Sequence, residues 1–141
     1  MAYKEVLYDL KTEWYQALNG NLTVPVFKDS APLSADGNYV LIRAEGSTNT
    51  DLNNSAFFRS AIIVVDIVTK FPVIGNSKNA NDIAQDINDI ILTSPNTFTI
   101  SLTNHQITQI TLQSEDEIYE DDNSQKIYRN IKRYEHILNQ I

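Results

Sequence analysis

The longest apolar stretch of the chain runs from Phe57 to Phe71, where Ile62, Ile63, Val64, Val65, Ile67 and Val68 follow with little polar alternation. A β-branched run of this kind predicts a strand covered on both faces, and therefore a central place in a sheet. Pro72 and Gly75 break it. Ser77 to Leu92 then sets Ile83, Ile87, Ile90 and Ile91 on one helical face and turns Asp82, Asp86 and Asp89 away from it, with Ser77 or Asn79 suited to the N-cap. Strand followed by amphipathic helix is an architectural signal, and such a helix needs a sheet to cover.

Around this block the pattern is less uniform. Val6, Leu7, Leu10, Trp14 and Leu18 fall on one face of a helix predicted from Tyr3 to Leu18, which Asn19-Gly20 closes. Leu22 to Phe27 reads as a short strand, and Pro25, unable to donate to a ladder, places it at a sheet edge. A loop from Asp29 to Gly37 leads to a strand at Tyr39 to Ala44. The polar Glu45 to Ser55 segment then forms the mobile tip of a long hairpin with the central strand. Beyond Pro95, Thr97 to Leu102 and Ile107 to Leu112 are expected to pair as a hairpin across Asn104-His105.

The last segment, Lys126 to Ile141, is ambiguous. Ile127, Ile131, Tyr134 and Leu138 suit a helix, whereas Tyr128, Arg129, Tyr134 and Ile137 also suit a strand; periodicity alone leans helical. The elements together predict one α+β domain over residues 1–141: a mostly antiparallel sheet of five or six strands with two helices packed on it.

Composition narrows the function more than the fold. A chain of 141 residues can bury about 68% of its unfolded surface, enough for a core without staples. The longest uninterrupted apolar run, Ala61 to Val65, is far short of the roughly 20 residues of a spanning helix, so no membrane role is expected. The N-terminal residues do not read as a secretory signal. Without cysteine, disulfides, thiolate metal sites and cysteine nucleophiles are excluded. A net charge of −7 opposes stable binding to a phosphate backbone.

No catalytic constellation, cofactor fingerprint or metal motif emerges. Glu115, Asp116, Glu117, Glu120, Asp121 and Asp122 crowd carboxylates together but lack the glycine and ligand order of a calcium loop, so they read as a solvated loop. His105 and His136 have no partner at ligand spacing and read as surface or turn residues. Lys126, Arg129, Lys132 and Arg133, interleaved with Tyr128 and Tyr134, could stack and hold a nucleic acid, but in an acidic chain they fit an interface better. Candidate interface residues are therefore Arg129, Lys132, Arg133 and Tyr134, with Asn49 and Asp51 on the polar loop that could reach a neighbour. Segregated acidic and basic segments suit head-to-tail association.

Three passages carry a family resemblance: YDLKTEWYQALNGNLTVPVF (Tyr8 to Phe27), VVDIVTKFPVIGNSKNANDIAQDINDII (Val64 to Ile91) and KIYRNIKRYEHIL (Lys126 to Leu138). Their order resembles the tail-terminator or tail-completion proteins of the bacteriophage neck. The resemblance implies that Lys126 to Leu138 is a closing strand. It also implies a structural, non-enzymatic protein of the virion, assembled in the host cytoplasm as a homo-oligomeric ring of six or twelve copies without a cofactor. Such a ring ends tail polymerisation or joins the tail to the portal-side connector, touches adjacent neck, connector or tail proteins, and lets DNA pass without binding it specifically. Glu115 to Asp122 is then the expected acidic lining of the lumen, since like charge keeps exiting DNA from sticking. The alternative is an adaptor, or a baseplate or sheath assembly module, on the same fold.

Overall fold

The computed structural model describes residues 4–32, 37–49, 58–71, 78–94, 97–122 and 125–141. In chain order the elements are α1 (Leu7–Leu18), β1 (Val26–Lys28), β2 (Tyr39–Asn49), β3 (Phe58–Phe71), α2 (Lys78–Ile91), β4 (Leu92–Ser94), β5 (Thr97–Phe98), β6 (His105–Asp122) and β7 (Gln125–Gln140). Five strands make the main sheet, in the order β1-β2-β3-β7-β6, and every pairing except the parallel β1–β2 is antiparallel. The apolar run is thus the middle strand, and β1, which directly follows Pro25, is an edge, both as expected.

Helix α1 buries Leu10, Trp14 and Leu18, spaced by four residues, each worth roughly 1.5–3 kcal/mol of burial. It ends where expected: Asn19 N–H donates to Tyr15 O at 2.8 Å, and Gly20 takes φ +82°, a left-handed conformation that glycine adopts without steric cost. Helix α2 buries Ala80, Ile83, Ala84, Ile87 and Ile91 and exposes Asp82, Asp86 and Asp89. Asn79 lies inside this helix, not at its cap; Ser77 and the Pro72–Gly75 break lie outside the described residues. Both helices pack on one face of the sheet, where Tyr134 of β7 meets Trp14 of α1 and its hydroxyl donates to Asn88 of α2.

Several expectations are corrected. The segment 126–138 is strand, as the resemblance implied and against its helical count: β7 pairs with β3 without a shift from Phe58↔Asn139 to Phe71↔Lys126. The hairpin expected between 97–102 and 107–112 does not form. Instead β5 closes a short β4–β5 hairpin, and β6 runs the whole length of β7, a longer ladder than a six-residue local hairpin offers. The acidic stretch is not a loop but the second half of β6, each residue facing a partner on β7. Residues 45–49 extend β2, in a ladder with β3; the rest of the expected hairpin tip lies outside the described residues. Both histidines are buried, His105 at the start of β6 and His136 fully enclosed in β7.

Register shifts in β6 after Ile107 and after Leu112 change which residues share a face. Residues directly opposite across a ladder point to the same side. Ile107, Ile110 and Leu112 lie opposite Leu138, His136 and Tyr134, and so all turn toward the helix side. Strict alternation along a strand without shifts would divide them between two faces.

Candidate functional site

The two charged segments singled out by sequence come together along the β6–β7 ladder. On the helix side, Lys132 Nζ lies 3.0 Å from Glu115 Oε2, and Asn130 Nδ2 donates to Glu115 Oε1 at 3.1 Å. These two donors hold the Glu115 carboxyl below its ordinary range. Asp121 pairs with Lys126 at 2.6 Å, which raises that lysine.

The opposite face carries no described helix. Here the register sets Val64 between Arg43 and Arg133, Asp66 between Leu41 and Ile131, and Val68 between Tyr39 and Arg129. Asp66 is only 1% exposed and is gripped by Arg129 through both carboxylate oxygens, with Arg43 Nη2 at 3.9 Å. Arg129 also reaches Glu120 at 3.5 Å, and Arg133 bridges Glu45 at 2.8 Å and Asp116 at 3.0 Å. Arg129, held first by Asp66, and Arg133, held first by Glu45, are both raised above the ordinary guanidinium range. Val64 and Val68 are buried on this face without a described helix above them, each beside an arginine in the register, a side chain whose stem covers apolar surface while its head stays polar. The lone carboxylate in the run AIIVVDIV was the available signal for this network; Glu45 and Arg43 left none.

Each candidate residue therefore has a place. Arg129 and Arg133 lie on the helix-free face and Lys132 on the helix side, all paired within the chain. Tyr134 is core: burial pushes its hydroxyl up to about 12. Asn49 ends β2 opposite Arg59, and Asp51 lies outside the described residues. Of the acidic residues, Glu115, Glu117 and Asp121 share the helix side, Asp116 and Glu120 the other, and Asp122 pairs with Gln125 at the turn end of β7. The acidic and basic segments neutralise one another across a single hairpin, so their separation in sequence is not a separation in space. Trp14 is fully enclosed in the core and lines no open pocket.

The wider concavities among the described residues are of about 400 Å³ beside Leu102, His105 and Ile107 and about 360 Å³ beside Glu45, Ile62 and Glu135, and in the second Ser60 Oγ donates to Glu135 Oε2 at 2.9 Å. Among the described residues no group of three or more His, Asp or Glu side chains could hold a metal ion, and no described helix is long and apolar enough to cross a membrane. What the hairpin offers is a long edge strand with charged and apolar side chains exposed, a feature suited to contact with another macromolecule.

Asp66→Asn is expected to lower stability by about 2–3 kcal/mol, below the ~3–5 kcal/mol of a fully buried broken pair, because Arg129 and Arg43 keep partial access to water. Urea denaturation checks it, and an unchanged midpoint would show that the pair contributes nothing.

Neither a protein-family model nor a curated protein sequence matches the chain. Among solved structures, one chain of the virion of a native gene transfer agent particle superposes with a TM-score of 0.69 over 96% of this chain and 99% of that one, at 12% identity. A second solved chain, 11% identical, covers 92% of this chain with a TM-score of 0.46, too low to support an argument. At such identity the first match shows a shared fold: this chain and a chain of the gene transfer agent virion have the same overall fold over nearly their whole lengths.

Proposed function

We propose that this chain is a structural protein of a phage-like virion, forming a ring in the neck that ends the tail or joins it to the portal-side connector, with DNA passing through the lumen. The observation that carries the reading is the fold match to a gene transfer agent virion chain, which spans nearly the whole of both proteins. The resemblance of this chain's three sequence passages to tail-terminator and tail-completion proteins supports the neck in particular. An assembly role also fits a surface whose prominent features are an exposed edge strand and ion-paired side chains.

In this reading β6 contributes the acidic lining. Asp116 and Glu120 carry that charge on the helix-free side of the sheet, whereas Glu115, Glu117 and Asp121 lie on the helix side. Unchanged DNA ejection from particles carrying Asp116→Asn and Glu120→Gln would remove the lumen role.

Quantitative mass spectrometry of purified particles tests the proposal. The expected result is a fixed ratio of this chain to the portal protein that matches one ring. Its absence from the particle overturns the virion role and moves the assignment to an adaptor or assembly module on the same fold.

A further inference from the structure

The helix layer is narrower than the sheet beneath it. α1 lies chiefly on β1 and β2, and α2 on β3 and β7. On that same side β6 carries Leu112, Glu117 and Tyr119 at positions opposite Tyr134, Asn130 and Tyr128. This leaves a shelf along the β6 edge, where Leu112 is 43% and Tyr119 55% exposed. Between them on this side stand Glu115, paired with Lys132, and Glu117, which, unlike Glu115, Asp116, Glu120 and Asp121, forms no ion pair among the described residues.

At the other edge of the sheet the arrangement is reversed. Lys28 of β1 lies opposite Ile42, on the helix side, beneath the outer flank of α1. Its ammonium donates to Thr12 Oγ1 at 3.4 Å and sits 4.9 Å from the centroid of the Tyr8 ring and 5.8 Å from that of Tyr15, and among the described residues no carboxylate pairs with it. Tyr8 is 65% exposed. Lys11 also approaches the Tyr8 ring, at 5.9 Å, but its charge is taken by Asp29. One edge thus presents a cation framed by tyrosines, and the other an anion framed by Tyr119 and Leu112.

Because β1 and β6 are the two edges of one sheet, these patches point apart within a copy and toward each other between laterally adjacent copies. We infer that copies of this chain associate edge to edge, the Tyr8–Lys28 flank of one seated on the Leu112–Glu117–Tyr119 shelf of the next, with Lys28 against Glu117. The neighbour's α1 fills the space that the helix layer leaves open above β6. Charge complementarity selects a second copy as the occupant: a chain of net charge −7 repels its own copies except where a cation meets an anion. Exposed tyrosines supply the apolar area that such contacts favour. Different patches meet on the two partners, so the contact is heterologous and closes into a ring when its rotation divides a full turn. The inference rests on the ring proposed above and specifies its contact.

The test is the mass of the full chain by sedimentation velocity over a concentration series at low ionic strength. Glu117→Lys and Lys28→Glu are each expected to weaken association by about tenfold or more, and the double swap to restore it. Tyr8→Ala is expected to weaken it as well, without rescue by the swap. Circular dichroism of each variant separates lost contact from lost fold. Single variants that fold and assemble like the parent overturn this contact and leave the ring standing on another surface. A parent chain monomeric at every concentration overturns the contact and self-assembly together, while presence in particles still decides the virion role.

Discussion

Trp14→Ala lowers the unfolding temperature by about 10–20 °C, the larger of the two main expected effects, given about 3–5 kcal/mol for emptying a buried tryptophan site. Trp14 is fully buried, its ring lies 5.1 Å from that of Tyr134 and 5.6 Å from that of His136, and its indole N–H donates to His136 Nε2 at 2.9 Å. The substitution opens a void between helix and sheet and leaves a buried nitrogen without its donor. Trp14→Phe separates the two losses: it keeps most of the ring and forfeits the hydrogen bond, at about 1–3 kcal/mol. Thermal unfolding followed by circular dichroism should rank the parent above phenylalanine and phenylalanine above alanine. A phenylalanine variant as stable as the parent would show that the indole–imidazole bond contributes nothing.

The same imidazole makes stability fall in mild acid. His136 Nδ1 lies 3.2 Å from Ala61 O and 3.1 Å from Tyr134 O and so donates to carbonyls, which leaves Nε2 as the acceptor for Trp14. Both nitrogens are satisfied only in the neutral ring. Protonation would turn Nε2 into a donor facing the indole N–H, in a fully buried site. Burial, the main cause, pushes this histidine from 6.5 down to about 4 despite the opposing pull of the two carbonyls.

A depressed histidine is a group that the unfolded chain protonates first. Its stabilising effect is complete above about pH 6.5 and declines through the window down to pH 4, where the folded form also takes the proton. The loss is on the order of 3 kcal/mol across that window. His105, lowered chiefly by burial with Arg59 adding to it, acts in the same direction. Urea denaturation of a His105→Gln background at intervals between pH 7 and pH 4 isolates His136, and its ring-proton NMR titration in the folded chain should show no protonation until near pH 4. A flat stability profile, or titration at the ordinary value, would contradict the neutral, doubly bonded ring.

The parts of the fold that were legible in sequence are those whose pattern is local. β3 announces itself by a β-branched run too dense for one face, and α2 by four isoleucines and three aspartates on opposite sides. β7 is different because it is apolar on both faces. Ile127 and Ile131 belong to the helix-free side and Tyr134 and Leu138 to the helix side, as their partners on β3 show, so two half-patterns joined end to end imitate a helical stripe. The acidic segment misled for another reason. Six carboxylates in eight residues read as solvated until the bases of β7 are brought opposite them, which is a fact about pairing. His136 carried no signal, because nothing near it in sequence foretells an indole 122 residues away.

The unbroken β3–β7 ladder also dictates an order of events in the cell. The bonded pairs Ser60–Glu135 and Thr69–Tyr128 are 75 and 59 residues apart in the chain, and the strand completing the middle of the sheet is the last of the seven. Until the ribosome has delivered residues 126–139, the most apolar strand of the protein has an open flank and β6 has nothing to lie against. Loops this long close slowly, so the nascent chain passes through a stage in which its stickiest segment is unshielded. In the assembly proposed above, the β6 edge that would meet a neighbour cannot form before that stage ends, so association would wait until a copy's own sheet is finished.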